Sequence, residues 1–208
     1  YIQDSGKQTI TTKGMKAEIR CVEKNAFRTV VEICHEMMIP SGMGEELQRQ
    51  REMCIDPYTR VANRSKELVP MEVKTVLTLE KSGKGLHVAT TICNQAKDHR
   101  VRVVMPTGLN TSTHLADSAF EVVKRNNRHN DTWTNPCGCE RQQCFAAMED
   151  ETNGLLVANR GLYEYEVLAD EENAIAVTLL RSVAEMGDWG YFPTPKAQQI
   201  GTFTLEFE

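Results

Sequence analysis

The sequence predicts an all-β fold, a large antiparallel β-sandwich with one short helix. Three observations predict it: apolar and polar residues alternate along many short segments, turn residues separate these segments, and only one segment has the composition of a helix. Alternation with a period of two turns one face of a strand toward a core and the other toward solvent. Many short strands of this kind are typical of a sandwich.

The clearest strand pair is a β-hairpin. Residues 71–80 and 86–92 both alternate, and the Gly-rich and Lys-rich stretch 81–85 supplies the turn between them. Further strands are predicted where apolar, β-branched or aromatic residues lie between turn residues. These strands are 101–105, 119–123, 155–157, 164–168, 174–180 and 202–207.

One segment, residues 44–53, is rich in strong helix formers and ends before Asp56 and Pro57, which predicts a short surface helix. Neither a repeat of fixed period nor a low-complexity linker divides the chain, so we expect residues 1–208 to form one domain. Because the sequence begins with Tyr1 and not with Met, we also expect a longer parent protein with a domain upstream.

The composition is that of a globular protein, with 40% hydrophobic and 25% charged residues among 208. The net charge is -5 and the basic residues are dispersed, which argues against a nucleic-acid partner. No apolar run is long enough to span a membrane. Seven cysteines form an odd set, so we expect a reducing, cytoplasmic location, and we give the three glycosylation sequons at Asn63, Asn110 and Asn130 little weight.

One cluster has the residue types of a zinc site. Cys137, Cys139, Cys144 and His129 offer three thiolates and one imidazole. The spacing differs from the Cys-x2-4-Cys pairs of structural zinc sites, however, and reduced, partly buried thiols explain it equally simply. We therefore expect no metal in this segment.

A second candidate is the turn formed by Asn159, Arg160 and Gly161, with Tyr163 close behind. A loop at a strand end presents hydrogen-bond donors and an aromatic face to a sugar, although an ordinary solvated turn has the same residues. Several other aromatic residues in loop-like segments are suited either to sugar stacking or to core packing. They are Trp133, Trp189, Tyr191 and Phe192.

Asp98, His99 and Arg100 stand in a row after a strand, in the manner of part of a catalytic dyad. In an extended chain Asp98 and Arg100 point to one side and His99 to the other. Since no nucleophile can be assigned, the sequence predicts a structural contact between Asp98 and Arg100.

Five blocks of sequence resemble, in the same order, the C-terminal region of bacterial family 38 α-mannosidases, including the mannosylglycerate hydrolase type. The blocks are NQAKDHRVR (94–102), PTGL (106–109), ADSAFEVV (116–123), LVANRGLYEYEV (156–167) and TPKAQ (194–198). The resemblance is clearest over residues 65–208. It implies a supersandwich of the galactose mutarotase-like kind that follows an α/β catalytic domain and a helical bundle.

The resemblance also implies the activity of the parent protein. Members of the family are retaining α-mannosidases whose zinc ion, zinc ligands and Asp nucleophile lie upstream of this region. None of those motifs is present here, so the segment alone is expected to be inactive and without a cofactor. The implied partners are the upstream catalytic domain and an α-mannoside substrate.

By residue, the resemblance places Arg160 next to substrate, together with Asn159, Gly161 and Tyr163. Two alternatives remain open. A self-standing carbohydrate-binding sandwich would bind sugar through Trp133, Tyr163 or Trp189, and a metal-stabilised structural module would depend on Cys137, Cys139 and Cys144.

Overall fold

A computed structural model describes residues 9–56, 59–61, 63–130, 132, 138–169, 172–186 and 192–208. The predictions made for Cys137, Trp133, Trp189 and Tyr191 fall outside these residues. Fifteen strands, one α-helix and one 3-10 helix form in the described part. In chain order they are β1 (Glu18–Lys24), β2 (Arg28–Pro40), α1 (Glu45–Glu52), β3 (Leu68–Glu80), β4 (Leu86–Asn94), β5 (Arg100–Met105), β6 (Thr113–Asp117), β7 (Val122–Asn126), β8 (Cys139–Arg141), β9 (Phe145–Glu149), β10 (Gly154–Ala158), β11 (Glu164–Leu168), β12 (Ala174–Arg181), β13 (Glu185–Met186), β14 (Phe192–Pro193), η1 (Pro195–Ala197) and β15 (Gly201–Phe207).

The chain divides into two compact units. The first unit consists of Tyr1–Arg100 and Arg181–Leu205, and the second unit consists of Val101–Leu180 and Glu206–Glu208. Antiparallel sheets and a single α-helix in the described part confirm the predicted all-β class. The expectation that residues 1–208 are one domain stays a prediction.

The first unit is built on a five-stranded sheet in the order β1-β2-β3-β4-β15. All thirteen residues of β2 pair with β3, from Arg28 opposite Glu80 to Pro40 opposite Leu68. The predicted hairpin is confirmed, because β3 pairs with β4 from Glu72 opposite Cys93 to Leu79 opposite Leu86.

The two faces of this sheet differ as the alternation requires. On one face Glu32 forms ion pairs with Arg20 of β1 at 3.3 Å and with Lys74 of β3 at 3.6 Å. The other face carries the buried Met71 and Ile92, and Ile92 is 0% exposed. Burying side chains of this size contributes about 1.5–3 kcal/mol each to folding.

Helix α1 lies on the surface and none of its residues is buried, as predicted for residues 44–53. Glu45 and Glu46 stand in its first turn, and Arg49 and Arg51 in its last, which suits the helix dipole at both ends. Arg51 pairs with Glu185, and Gln50 Oε1 accepts a hydrogen bond of 2.7 Å from Val61 N, so polar contacts tie the helix to the unit.

The expected contact between Asp98 and Arg100 stays a prediction. The Asp98 carboxylate accepts a hydrogen bond of 2.6 Å from the Gln198 amide, and Gln198 Oε1 accepts one of 3.0 Å from Asp98 N. Asp98 has a φ of 55°, so the backbone is not extended there. The alternation on which the expectation depended therefore stops before Arg100.

The second unit contains two four-stranded sheets, β10-β9-β6-β7 and β5-β12-β11-β8. The strand pairs β6–β7, β6–β9, β9–β10, β8–β11 and β11–β12 are antiparallel. The first seven residues of β12 are buried, and Tyr165 of β11 is 0% exposed. The predicted strand 119–123 is wrong in its first half, because Ser118 N donates to Glu121 O at 2.9 Å and closes a turn there.

No helix in the described part of the chain is long and apolar enough to cross a membrane. No disulfide joins the cysteines that the structure describes, which are Cys21, Cys34, Cys54, Cys93, Cys139 and Cys144.

Candidate functional site

The turn predicted from sequence begins where β10 ends, at Asn159, and neighbouring backbone holds it on two sides. Asn159 N donates to Cys144 O at 2.7 Å, which extends the pairing of β9 with β10 by one residue. Ala158 and Glu208 exchange two hydrogen bonds of 2.8 Å each. The start of the turn is therefore fixed by the sheet.

The turn is closed by the side chain of its first residue. Asn159 Oδ1 accepts a hydrogen bond of 2.9 Å from Leu162 N, an arrangement that asparagine favours in turns. Gly161 has a φ of +88°, a left-handed conformation that costs other residues energy. Leu162 is buried whereas Tyr163 is 60% exposed, so Leu162 anchors the turn and the Tyr163 ring faces solvent.

Gln142 supports the turn from below, and the sequence analysis did not identify it. Its backbone N–H donates to Tyr163 O at 3.0 Å and its amide Nε2 donates to Leu162 O at 2.8 Å. The residue is 2% exposed. Gln142 lies in a polar stretch before Cys144, and its partners are about twenty positions further along the chain. The residues around it therefore give no sign of its role.

Arg160 is exposed and forms no hydrogen bond or ion pair with any residue that the structure describes. Other arginines of the second unit are engaged: Arg102 pairs with Glu166, Arg125 pairs with Glu140 at 2.7 Å, and Arg128 donates to Ala169 O at 2.9 Å. The planar group of donors at Arg160 is thus available to a ligand or to another protein surface.

An acidic group lies on the Cys144 side of the turn. Asp117 Oδ2 accepts a hydrogen bond of 3.1 Å from Cys144 N. A hydrogen bond to the same carboxylate raises the pKa of the Cys144 thiol, while the positive charge of Arg160 acts in the opposite direction. The Cys144 thiol at the edge of the turn is therefore influenced by charges of both signs.

The candidate zinc ligands do not fit a zinc site in the part of the chain that can be described. No group of three or more His, Cys, Asp or Glu side chains there could hold a metal ion. Cys139 and His129 are half-buried, Cys144 is exposed, and Cys137 lies outside the described residues. Zinc binds thiolates, and the raised pKa of Cys144 favours the protonated thiol.

A buried chain of polar side chains crosses the second unit and was also missed by the sequence analysis. Arg125 donates to the Tyr165 hydroxyl at 2.8 Å, that hydroxyl lies 2.8 Å from His114 Nε2, and His114 Nδ1 lies 3.0 Å from Asn127 Oδ1. Asn127 Nδ2 then donates to Thr111 O at 2.9 Å.

The direction of these bonds fixes the state of the imidazole. Because Asn127 Nδ2 donates to Thr111 O, its Oδ1 is the acceptor that faces His114 Nδ1. In the neutral imidazole the hydrogen is then on Nδ1, and Nε2 accepts from the Tyr165 hydroxyl. Burial lowers the pKa of His114 and raises the pKa of Tyr165, so both side chains are held neutral.

Comparison with known proteins connects this chain to one family. A sequence profile described as "Glycosyl hydrolases family 38 C-terminal domain" matches residues 1–189. A "Putative mannosylglycerate hydrolase" of Halalkalibacterium halodurans is 41% identical over 197 residues, which are 95% of this chain and 22% of that protein.

Two solved structures from Enterococcus faecalis are also similar. An α-mannosidase of strain V583 matches with a TM-score of 0.89 and 44% identity, over 95% of this chain and 22% of that chain. A protein in glycosyl hydrolase family 38 matches with a TM-score of 0.87 and 42% identity, over 95% of this chain and 23% of that chain. The chain thus spans about a fifth of the length of these relatives.

Proposed function

This chain belongs to the family of glycosyl hydrolase family 38 C-terminal domains, and from this premise we propose that it is the non-catalytic C-terminal region of a retaining, zinc-dependent α-mannosidase. The observation that carries the proposal is the likeness, in sequence and in structure over almost the whole chain, to part of an α-mannosidase. Mannosylglycerate is a related candidate substrate, since one relative is named for its hydrolysis.

The chemistry of the reaction indicates which groups lie outside this chain. Retaining glycosidases need two carboxyl groups placed across the glycosidic bond, one as nucleophile and one as acid and base. In the second unit Glu140 and Glu166 form ion pairs with Arg125 and Arg102, so both carboxylates are engaged within the unit. We assign the catalytic carboxylates and the zinc, which would polarise oxygen atoms of the sugar, to the remainder of the protein.

The part of this chain that we assign to the substrate is the turn from Asn159 to Gly161. Asn159 and Gly161 set the shape of the turn, and Arg160 presents charged donors that have no described partner of their own. We propose that Arg160 binds sugar hydroxyls and so helps to close the subsite, while the rest of the chain packs on the catalytic domain.

The test compares the complete protein with the isolated 208-residue chain on an aryl α-mannoside. We expect the complete protein to release mannose with retained configuration, to lose activity when zinc is chelated and to regain it when zinc is returned. The isolated chain is expected to fold, as judged by circular dichroism, and to be inactive. Zinc-dependent turnover by the pure isolated chain, or a folded complete protein that hydrolyses no α-mannoside, would contradict the proposal.

Elemental analysis of the isolated chain tests the metal-stabilised alternative. We expect no stoichiometric zinc, since the described residues offer no metal site. About one zinc per chain, as in a Cys3His structural site, would favour that alternative instead.

A further inference from the structure

The second unit contains a polar cleft of about 490 Å³ beside the buried chain from Arg125 to Asn127. Residues 126–130, which follow β7, form one wall, and β8 and β11 contribute Glu140 and Glu166. Among the described residues that line the cleft, all but Gly138 and Val167 carry a hydrogen-bonding side chain. The volume falls within the range of small-molecule sites, about 300–1,000 Å³.

The polar groups of the cleft are held in place by contacts within the unit. His114, 3% exposed, is fixed as the neutral imidazole by Tyr165 and Asn127. The Glu140 carboxylate is held by Arg125 at 2.7 Å, and Glu166 is paired with Arg102. A site with polar groups fixed in advance loses less entropy when a ligand binds.

The balance of charge in the cleft determines which ligand suits it. Each carboxylate is compensated by its own arginine, so the field is not strongly of one sign. The amide of Asn126 and the guanidinium of Arg128 line the same cleft. A hydroxyl group both donates and accepts, so a lining that mixes carboxylate acceptors with amide and guanidinium donors matches several hydroxyl groups on one ring.

We propose that this cleft binds a neutral hexopyranose. The inference depends on the cleft alone and not on the activity of the complete protein. The outcome of its test is therefore separate from the outcome for the proposed function.

Titration of the ¹⁵N-labelled 208-residue chain with methyl α-D-mannopyranoside, followed by heteronuclear NMR, tests the proposal. We expect saturable shifts at the amides of residues 126–130, 138–140 and 165–167. Methyl β-D-galactopyranoside tests how strongly the cleft selects among hexoses, and inorganic phosphate serves as the anionic probe. Phosphate is expected to leave the chemical shifts of these amides unchanged.

Two variants locate the site. Asn126→Ala removes an exposed side chain that forms no described hydrogen bond, and we expect it to weaken sugar binding about 5-fold, the effect of one lost hydrogen bond. Asn110→Ala, an equivalent change of an exposed asparagine in the same unit, should leave the affinity unchanged.

Three results would overturn the proposal. They are no saturable shift with either sugar up to about 100 mM, shifts at these amides with phosphate but not with sugar, and a sugar affinity that is unchanged in Asn126→Ala.

Discussion

The Tyr165 hydroxyl lies 2.8 Å from His114 Nε2 and accepts a hydrogen bond of 2.8 Å from Arg125. A protonated His114 would present a second donor to this oxygen, whose own proton would then need another acceptor. Burial lowers the pKa of His114, and the positive charge of Arg125 acts in the same direction. The interior of the second unit is thus built around a neutral imidazole.

The first prediction concerns pH. In the unfolded chain His114 titrates near about 6.5, whereas its folded pKa is lower, so between the two values only the unfolded state binds the proton. Stability should therefore fall as the pH falls below about 6.5 and level off below the folded pKa. The half-buried His99, whose pKa is also lowered by burial, acts in the same direction.

Thermal melts between about pH 7.5 and about pH 5 measure this effect, since histidine is the side chain that titrates in that range. His114→Gln keeps hydrogen-bonding capacity, and its Tm should decrease less on acidification than the Tm of the parent chain. His87→Gln, a change of an exposed histidine on β4, should retain the full loss. Identical pH profiles for the parent chain and His114→Gln would contradict the assignment.

The second prediction concerns the left-handed glycine of the turn. Gly161→Ala is expected to cost about 1 kcal/mol, because φ is +88° even though no atom lies within 4 Å of the new Cβ. A loss of this size corresponds to a Tm lowered by about 2–4 °C in a chain of this length. In Gly154→Ala the new Cβ meets Glu149 Cβ at an ordinary 3.5 Å, so its Tm should not fall. Equal Tm values for the two variants would show that Gly161 is not under conformational constraint.

The third prediction concerns the support beneath the turn. Gln142→Ala removes the amide that donates to Leu162 O, and we expect a loss of roughly 1–3 kcal/mol of unfolding free energy because that carbonyl becomes unsatisfied. Gln143→Ala changes an exposed neighbour, and its free energy of unfolding should stay within about 0.5 kcal/mol of that of the parent. Urea denaturation measures both. A Gln142→Ala variant as stable as Gln143→Ala would mean that the amide contributes nothing to the turn.

How far the sequence predicted the fold depended on whether the signal was local. The hairpin of β3 and β4 was predictable because its alternation and its turn lie within one stretch of sequence. The first half of the strand predicted at 119–123 was wrong because Phe120, though apolar, is fully exposed in a turn. Strand β2 was missed since pairs of adjacent apolar residues, such as Val30 and Val31, interrupt its alternation.

The candidate site shows the same limit. Asn159 and Gly161 predict a turn because both residues favour turn conformations. Three adjacent residues were therefore enough to place Arg160 in a turn. The contact between His114 and Tyr165 joins residues 51 positions apart. A periodic pattern shows that a residue faces the core but does not identify its partner there, so the polar chain and the cleft beside it became visible only in the structure.

The last prediction tests Arg160 in the complete protein. If its guanidinium binds sugar hydroxyls in the transition state as well as in the ground state, Arg160→Ala should lower kcat/KM by about 10-fold or more. The estimate is the roughly 1.5–3 kcal/mol of a hydrogen bond to a charged group. The kcat/KM of Arg160→Lys should lie between those of the parent and Arg160→Ala, because lysine keeps the positive charge but lacks the planar group of donors.

Stability and a matched arginine separate this role from a structural one. Arg160 forms no hydrogen bond or ion pair with the described residues, so Arg160→Ala should have the same Tm as the parent protein. Arg141 has a side chain 70% exposed and a loose contact of 3.6 Å with Glu164, and Arg141→Ala should change neither kcat/KM nor Tm appreciably. A normally folded Arg160→Ala enzyme with unchanged kcat/KM would show that the turn shapes the protein surface without contacting the substrate.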